Sequence, residues 1–433
     1  MTPNDKIQAY IRQVCSQIRS KDVHAAVTLE LEGHIADKVD ELMKSGFTEA
    51  EAVERALTEL GDPVTVGKQL HQAHKPRMEW SVVGMVTVLI GVGLLVLLSL
   101  VASNPDDAWF FLKRQLVFIF LGIVAFVALL LTNYSKIKSY SLPLYFGSLL
   151  AVAYSFLWGE TLNGKPYLNI GILVDMIRLS PFLLIISLAG ILSDWNWERK
   201  TSLFLVLGLY LVPLLFYAKA PDWFAGLLFT VGFFVLLFRS PASRRQACIS
   251  TGAVLIGAVA LLLLTMKRYQ LDRFLFWLNP YEDPMGRGYA LIQSLEAIRS
   301  AGIWGNGFGT QLEGLGYTAA LGSDFVFVYL VYAFGLAAGV GVLLIGMLLL
   351  MRLFRAAKQT RERYGALLMS GLMALFFTEY FWGILMAFGW VPLFSAPIPL
   401  ISYGGLHFIS HMAILGLVLG VYRRKDMRQP LSS

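Results

Sequence analysis

Residues 323–351 read SDFVFVYLVYAFGLAAGVGVLLIGMLLLM, and the 27 positions after Asp324 carry no charge. A helix needs about 20 mostly apolar residues to cross the roughly 30 Å of hydrocarbon in a bilayer. This stretch is therefore long enough to span a membrane, and it decides the class of fold. Asp324 lies at the mouth of the predicted span, where an acid is close to both water and lipid.

Apolar segments of this kind recur along the chain. Of its 433 residues, 56% are hydrophobic and 15% are charged. The mean hydropathy is +0.62, and the composition as a whole excludes an ordinary soluble enzyme. An all-α integral membrane protein is predicted, with ten spans at residues 81–102, 110–132, 140–158, 175–193, 202–218, 222–238, 246–266, 324–351, 364–388 and 399–422.

The charged connectors set the predicted orientation. Five connectors on one side of the spans hold sixteen Lys and Arg residues, and such loops face the cytoplasm. Both termini are then cytoplasmic, whereas the long connector 267–323 is extracytoplasmic. Contact with anionic membrane lipids is an alternative use of these cations, but topology alone accounts for them. Cys15 and Cys248 both fall on the cytoplasmic side, so no disulfide is expected.

Residues 1–79 differ in character from the rest. They hold ten Lys or Arg and thirteen Asp or Glu residues and no apolar run, which predicts a small cytoplasmic helical domain without a cleavable signal peptide. Thr48 and Glu51 form a predicted capping box. The stretch resembles the short prefix domains that precede bacterial permease-like membrane proteins, which implies a docking or regulatory role. Its four histidines lack metal-site spacing and are expected on solvated helix faces.

One extracytoplasmic stretch is rich in glycine, charge and amide groups. It is NPYEDPMGRGYALIQSLEAIRSAGIWGNGFG, residues 279–309, called the polar loop below. Tyr289 and Gln293 are four residues apart and share a predicted helical face. Arg287 lies between Gly286 and Gly288, whose flexible backbone would allow close approach to a ligand. The alternative is that this part of the loop only makes a turn.

The stretch GWVPLFSAPIPLISYGG, residues 389–405, resembles the sequence before the last span of the SEDS family (shape, elongation, division and sporulation), of FtsW, RodA and SpoVE type. Four more stretches match this family in order: FLKRQ at 111–115, DRFLFWLNP at 272–280, DPMGRGY at 283–289 and SDFVF at 323–327. The resemblance covers residues 80–425 and leaves 426–433 as a short cytoplasmic tail. Its structural motif includes Pro399, Ser402, Tyr403, Gly404 and Gly405.

The resemblance implies a polymerase of the bacterial plasma membrane. Such a protein extends glycan chains from lipid II, a lipid-linked disaccharide, usually beside a monofunctional penicillin-binding transpeptidase, and no nucleic-acid partner is expected. The transfer needs a base that activates a sugar hydroxyl and positive charge that stabilises the departing diphosphate. The site is therefore expected at the outer membrane face, beneath the polar loop. No cofactor is assigned, and a divalent cation at the diphosphate is the one candidate.

Site residues follow from the chemistry of individual side chains and from the same resemblance. It gives Asp324 the role of catalytic base, the alternative being that Ser323 and Asp324 only cap the next helix. Guanidinium groups suit diphosphate oxygens, so Arg273, at the family's arginine position, and Arg287 are predicted substrate ligands. A lipid-headgroup anchor is the alternative for Arg273. The other predicted substrate contacts are Tyr289, Gln293, Lys113 and Arg114, although the last two could simply snorkel to the interface.

The chain also departs from the family pattern. Phe182 and Ile185 stand where the family has a glutamate and a lysine in its fourth span. Asp175 and Arg178, three residues apart on one helical face, could replace that pair.

One carboxylic acid and two histidines lie inside the last two predicted spans. Glu379 is either functional or protonated and bonded to a neighbouring helix. His407 and His411 share one helical face, but two imidazoles without a carboxylate partner make a poor metal site. Interhelical hydrogen bonding is therefore expected, and no metal site is predicted.

Polymerisation of the lipid-linked precursor is the leading functional hypothesis. The alternative is a non-catalytic relative that binds the precursor or a transpeptidase and is governed by residues 1–79. A third hypothesis is a carrier that moves the precursor across the bilayer. The sequence has no evident pair of broken helices of the kind that transporter repeats use.

Overall fold

The computed structural model describes residues 2–18, 21–73, 79–162, 164–199, 201–220, 222–265, 276–312, 315, 318–360 and 362–424. The chain divides into two compact units, residues 1–78 with 422–433 and residues 79–421. Arg273 lies outside the described residues, so its role stays a prediction.

The described residues of the first unit before residue 79 form four helices: α1 Pro3–Gln17, α2 Lys21–Lys44, α3 Glu49–Leu60 and α4 Pro63–Ala73. They bury an apolar core that includes Val14, Ile35 and Ala52. The capping box is present, because Glu51 accepts hydrogen bonds from the Thr48 N–H at 3.1 Å and from the Thr48 hydroxyl at 2.7 Å. These residues therefore form a helical module with its own core, and its cytoplasmic location stays a prediction.

The second unit is helical and apolar. Nine of its described helices are long and apolar enough to cross a membrane, and a tenth, Trp223–Arg239, is apolar but shorter. This agrees with the fold class predicted from the sequence. The helices are α5 Trp80–Ser103, α6 Pro105–Leu131, α7 Tyr134–Ser139, α8 Ser141–Trp158, α9 Met176–Ser193, α10 Ser202–Lys219, α11 Trp223–Arg239, α12 Arg244–Thr265, α13 Tyr289–Ser300, α14 Thr318–Gly322, α15 Val326–Gln359, α16 Arg363–Ala387 and α17 Gly405–Arg423.

Some predicted boundaries are wrong. The last span begins at Gly405, not at residue 399. Pro397 and Pro399 cannot donate backbone hydrogen bonds, and Leu400 has a φ of 70°, so the preceding residues stay irregular. The connector before α9 forms a three-stranded antiparallel sheet that was not expected, with β1 Glu160–Leu162, β2 Lys165–Asn169 and β3 Leu173–Val174.

Helices α9, α16 and α17 form the centre of the membrane unit. The most apolar windows of these helices are 72%, 67% and 67% buried, against 17% for α6 and α12, which lie at the periphery. Close packing at the centre depends on small residues. At Gly371 of α16, for example, a Cβ atom would meet the side chain of Ile185 of α9 at 2.6 Å.

Helix α15 is broken near its N-terminal end, and the polar loop fills the break. Gly335 has a φ of 85°, and a Cβ atom there would lie 2.0 Å from the carbonyl oxygen of Ile303. Four backbone hydrogen bonds of 2.9–3.2 Å replace the missing helical ones. They run from Asn306 to Tyr332, from Gly307 to Ala333, from Leu336 to Gly302 and from Ala337 to Ile303. The polar loop is thereby fastened to the span that Asp324 precedes.

Candidate active site

Asp324 lies in the turn between α14 and α15, where it is half-buried. Its carboxylate accepts a bifurcated hydrogen bond from the Ser395 hydroxyl, with Oγ 2.9 Å from Oδ1 and 2.8 Å from Oδ2. The N-cap of α15 is Phe325, and no side-chain hydrogen bond caps the helix. The carboxylate is therefore oriented by the segment before the last span, which disfavours the capping alternative.

The proline-rich segment 390–404 is held firmly beside Asp324. The Ser402 hydroxyl donates to the Ser323 carbonyl at 2.9 Å and accepts from the Ile398 N–H at 2.8 Å. The Tyr403 N–H donates to the Gly322 carbonyl at 2.7 Å. The motif recognised in the sequence thus connects the last span to the turn that carries the predicted base.

The rest of that motif packs against α6. The Gly404 N–H contacts Gln115 Oε1 at 3.4 Å, and a Cβ atom at Gly405 would meet the Phe118 ring at 2.8 Å. Burial raises the pKa of the Tyr403 hydroxyl, and the positive charge of Arg114 partly opposes this. Arg114 is thus close enough to act on the motif electrostatically.

A compact charged cluster lies beside Ser395. Lys165 of β2 donates to Asp175 at 2.7 Å and to Asp222, and Arg178 of α9 contacts Asp222 at 3.3 Å and Asp175 at 3.7 Å. Both acids also cap helices, Asp175 at α9 and Asp222 at α11. We call Lys165, Asp175, Arg178 and Asp222 the charged cluster.

The charged cluster is ionic rather than neutral at its centre. Burial opposes ionisation of Asp222, but the charges of Lys165 and Arg178 outweigh it and hold the pKa of this carboxyl below its ordinary value. Two cations thus balance two carboxylates. Such a buried network fixes the orientation of its members, because each displaced charge would lose its counter-charge in a medium of low dielectric constant.

Arg178 connects the charged cluster to the predicted base. Its Nη2 donates to the Ser395 carbonyl at 3.1 Å, while the Ser395 hydroxyl bonds to Asp324. Asp324 also interacts electrostatically with Arg178. The Asp324 carboxylate and the Arg178 guanidinium thus both bond to Ser395. The Arg178 side chain keeps 31% of its surface exposed.

Phe182 and Ile185, the apolar residues at the two charged positions of the family, pack against neighbouring helices. Phe182 is 3% exposed and lies edge-on against the His411 ring, and Ile185 is fully buried against α16. Helix α9 therefore contributes its charges one turn earlier, at Asp175 and Arg178. This placement supports the compensation suggested by their spacing.

The polar-loop residues that were predicted to contact the substrate have different environments in the structure. Arg287 is exposed, and its guanidinium lies 4.9 Å from the centre of the Phe276 ring. Its backbone N–H donates to the Asp283 carboxylate at 3.1 Å, which supports the turn interpretation. Tyr289 begins α13. Gln293 donates to a glutamate one turn along α13 at 3.2 Å, and borders an open cavity of about 340 Å³. This cavity is lined by Gln293, Glu296, Ala297, Ser300, Gln311, Leu312 and Tyr332.

Lys113 and Arg114 lie against aromatic rings of their own helix. The Lys113 ammonium is 5.6 Å from the Trp109 ring, and the Arg114 guanidinium is 5.2 Å from Phe110 and 5.6 Å from Phe118. Both side chains are exposed. Amphipathic packing of this kind supports the interfacial alternative.

Sequence reasoning missed several contacts at this site. Lys165 lies in a strand that apolar periodicity did not reveal, and Ser395 is one unremarkable serine within the proline-rich segment. The judgement that the two histidines lack a carboxylate partner is wrong, because Glu379 on the adjacent helix contacts both. Each of these contacts joins residues that are distant in sequence, so local patterns carry no signal for them.

The chain is similar to a family of membrane proteins. The profile described as cell cycle protein, of FtsW, RodA and SpoVE type, matches residues 79–427. A probable peptidoglycan glycosyltransferase FtsW of Saccharophagus degradans is 27% identical over 366 residues, covering 80% of this chain and 92% of the relative. Stage V sporulation protein E of Bacillus subtilis is 27% identical over 356 residues, covering 78% and 94%.

Solved structures are also similar. A chain from a structure described as structural coordination of polymerization and crosslinking by a peptidoglycan synthase complex has a TM-score of 0.67 at 26% identity, covering 81% of this chain and 99% of that one. The rod shape determining protein RodA of Thermus thermophilus has a TM-score of 0.59 at 25% identity, covering 80% and 97%.

Proposed function

Because the chain belongs to the FtsW, RodA and SpoVE family of cell cycle proteins, we propose that it polymerises glycan chains from a lipid-linked disaccharide at the outer face of the bacterial plasma membrane. Relatives named as peptidoglycan glycosyltransferases support this activity. The proposal includes cytoplasmic termini, a cytoplasmic domain of residues 1–79 and an extracytoplasmic polar loop.

The observation that carries the proposal is the Asp324–Ser395–Arg178 arrangement. In the reaction, a sugar hydroxyl of the acceptor attacks the anomeric carbon of the donor, and the bond from that carbon to the diphosphate oxygen breaks. Asp324 accepts the hydroxyl proton, and the diphosphate leaves with the bonding electrons. Arg178 provides positive charge for the departing group, held in place by Asp175 and Asp222.

The partner is proposed to be a transpeptidase that cross-links the new glycan. A structural relative comes from a complex that couples polymerization with crosslinking. A divalent cation at the substrate diphosphate and contact with membrane lipids belong to the same proposal.

The test is polymerisation of purified lipid II by the full chain in detergent. Asp324→Asn keeps the shape of the side chain but removes the base, so glycan product should fall about 100-fold or more. Glu282→Gln, which removes an exposed acid of the polar loop, serves as the matched control and should keep wild-type activity. Product formed by Asp324→Asn at the wild-type rate would remove Asp324 from the mechanism.

A non-catalytic role is the second candidate, favoured by the apolar residues Phe182 and Ile185 at family positions that carry charge. It predicts that wild-type protein binds lipid II tightly but makes no glycan, either alone or with a transpeptidase partner. A binding assay on the same preparations separates this outcome from loss of folding.

A further inference from the structure

Glu379 of α16 and His407 and His411 of α17 form a compact group within the membrane unit. One ligand atom from each side chain can be chosen so that all three lie within 4.8 Å of one another. His411 Nε2 is hydrogen-bonded to Glu379 Oε2, and His407 Nε2 lies 3.6 Å from Glu379 Oε1. Glu379 and His411 are buried. We call these three residues the His–Glu triad.

The hydrogen bonds fix which nitrogen of His411 is free to bind a cation. Its Nδ1 lies 2.7 Å from the His407 carbonyl oxygen, which can only accept, so Nδ1 carries the hydrogen. In the neutral ring Nε2 then has a lone pair, and it faces the carboxylate of Glu379. A backbone carbonyl that orients one ring nitrogen in this way is the usual arrangement around a metal-ligating histidine.

Two lone-pair atoms that face each other need a cation between them. A proton shared by Glu379 and His411 would satisfy only those two residues. It would leave His407 Nε2 buried without a hydrogen-bond partner, as it is among the residues that the structure describes. A metal ion satisfies all three ligands together.

The surroundings leave space for a fourth ligand. A small cavity of about 10 Å³, enough for the centre of one water molecule, borders Glu379 and His407. It also borders Arg178 and Ser395 of the candidate active site. Two histidines, one glutamate and a water molecule are a known ligand set of four-coordinate Zn²⁺.

We infer that the His–Glu triad binds one divalent transition metal of the Zn²⁺ class. Imidazole nitrogens favour Zn²⁺, Ni²⁺ or Cu²⁺ over Mg²⁺ and Ca²⁺. Ligand atoms around tetrahedral Zn²⁺ are about 3.3 Å apart, close to the 3.6 Å between His407 and Glu379, while His411 and Glu379 separate to admit the ion.

The metal has a positioning role that rests on the proposed function. Residues 388–404 connect the C-terminus of α16 to the N-terminus of α17, and they include Ser395. An ion that joins Glu379 to the two histidines holds together the two helices that flank this segment. It thereby fixes the position of Ser395 and the orientation of Asp324.

The test is metal binding by the purified full chain. Protein treated with chelator and then loaded with Zn²⁺ should retain one tightly bound ion per chain, measured by mass spectrometry of the metal after gel filtration. His407→Gln should weaken Zn²⁺ binding at least tenfold in competition with a chromophoric indicator. His34→Gln, which removes an exposed histidine of the first unit, should bind Zn²⁺ as the wild type does.

Two results would overturn the inference: monodisperse wild-type protein that retains no Zn²⁺, or equal affinity in wild type and His407→Gln. Because His407 Nε2 makes no hydrogen bond to any residue that the structure describes, its replacement should leave the fold intact. Glu379→Gln is a second variant that keeps side-chain volume and should also lose the ion. Asp324→Asn should keep the metal while losing polymerisation, so failure of the proposed function and failure of the metal site are distinguishable.

Discussion

Replacement of Lys165 by methionine tests whether the charged cluster supports the fold. The side chains of Lys165 and Asp222 are 11% and 7% exposed, so this is a buried ion pair. Removing one partner of such a pair costs about 3–5 kcal/mol. Because Arg178 remains beside Asp222, Lys165→Met should lie at the lower end, about 3 kcal/mol less stable than wild type.

The stability difference between wild type and Lys165→Met should also change with pH, in a direction set by the pKa of Asp222. Burial opposes ionisation of Asp222, but Lys165 and Arg178 together lower its pKa. A carboxyl whose pKa is lowered by folding stabilises the folded state above its unfolded pKa of about 3.9, and this contribution is lost as the pH falls through the folded value. The stability difference between wild type and Lys165→Met should therefore be full at neutral pH and shrink below about pH 4.

The assay is thermal unfolding of the full chain in detergent, followed by tryptophan fluorescence and by recovery of monodisperse protein. Lys136→Met, which removes an exposed lysine of α7, is the matched control and should unfold with the wild type. If Lys165→Met unfolds at the wild-type temperature at pH 7, or if its deficit is unchanged in acid, the charged cluster does not stabilise the fold as argued.

Two further substitutions address the polar loop and the orientation of the base. Gly335→Ala should destabilise the protein by several kcal/mol and expose the loop to protease, because its Cβ atom would lie 2.0 Å from the Ile303 carbonyl oxygen in a left-handed backbone conformation. Gly341→Ala, which meets no atom within 4 Å, should be neutral or slightly stabilising. Ser395→Ala should lower polymerisation about tenfold while leaving the unfolding temperature unchanged, because the exposed hydroxyl orients Asp324.

Each of these predictions has a result that would contradict it. Equal protease resistance of the two glycine variants would mean that the break in α15 does not hold the polar loop. Unchanged polymerisation in Ser395→Ala would show that Asp324 needs no orientation from the proline-rich segment.

Much of the membrane unit was predictable because its strongest signal is local. Whether a stretch such as 324–351 can cross a bilayer depends on its own length and hydropathy, independently of the other helices. Asp324 and the segment 389–405 were likewise recognisable from contiguous residues. Where local chemistry interrupts a helix, as at Pro397 and Pro399, the predicted boundary was wrong by several residues.

The remaining features depend on tertiary structure, because they join positions that only the packed helices bring together. Lys165 meets Asp222 across 57 positions of the chain, and His411 meets Glu379 across 32. The sequence shows that burial of a charged residue would be costly, but it does not show which residue of opposite charge lies beside it in the folded protein. Hydropathy therefore determined which segments enter the membrane, and helix packing decided which polar side chains meet there, since a buried charge is stable only beside its counter-charge.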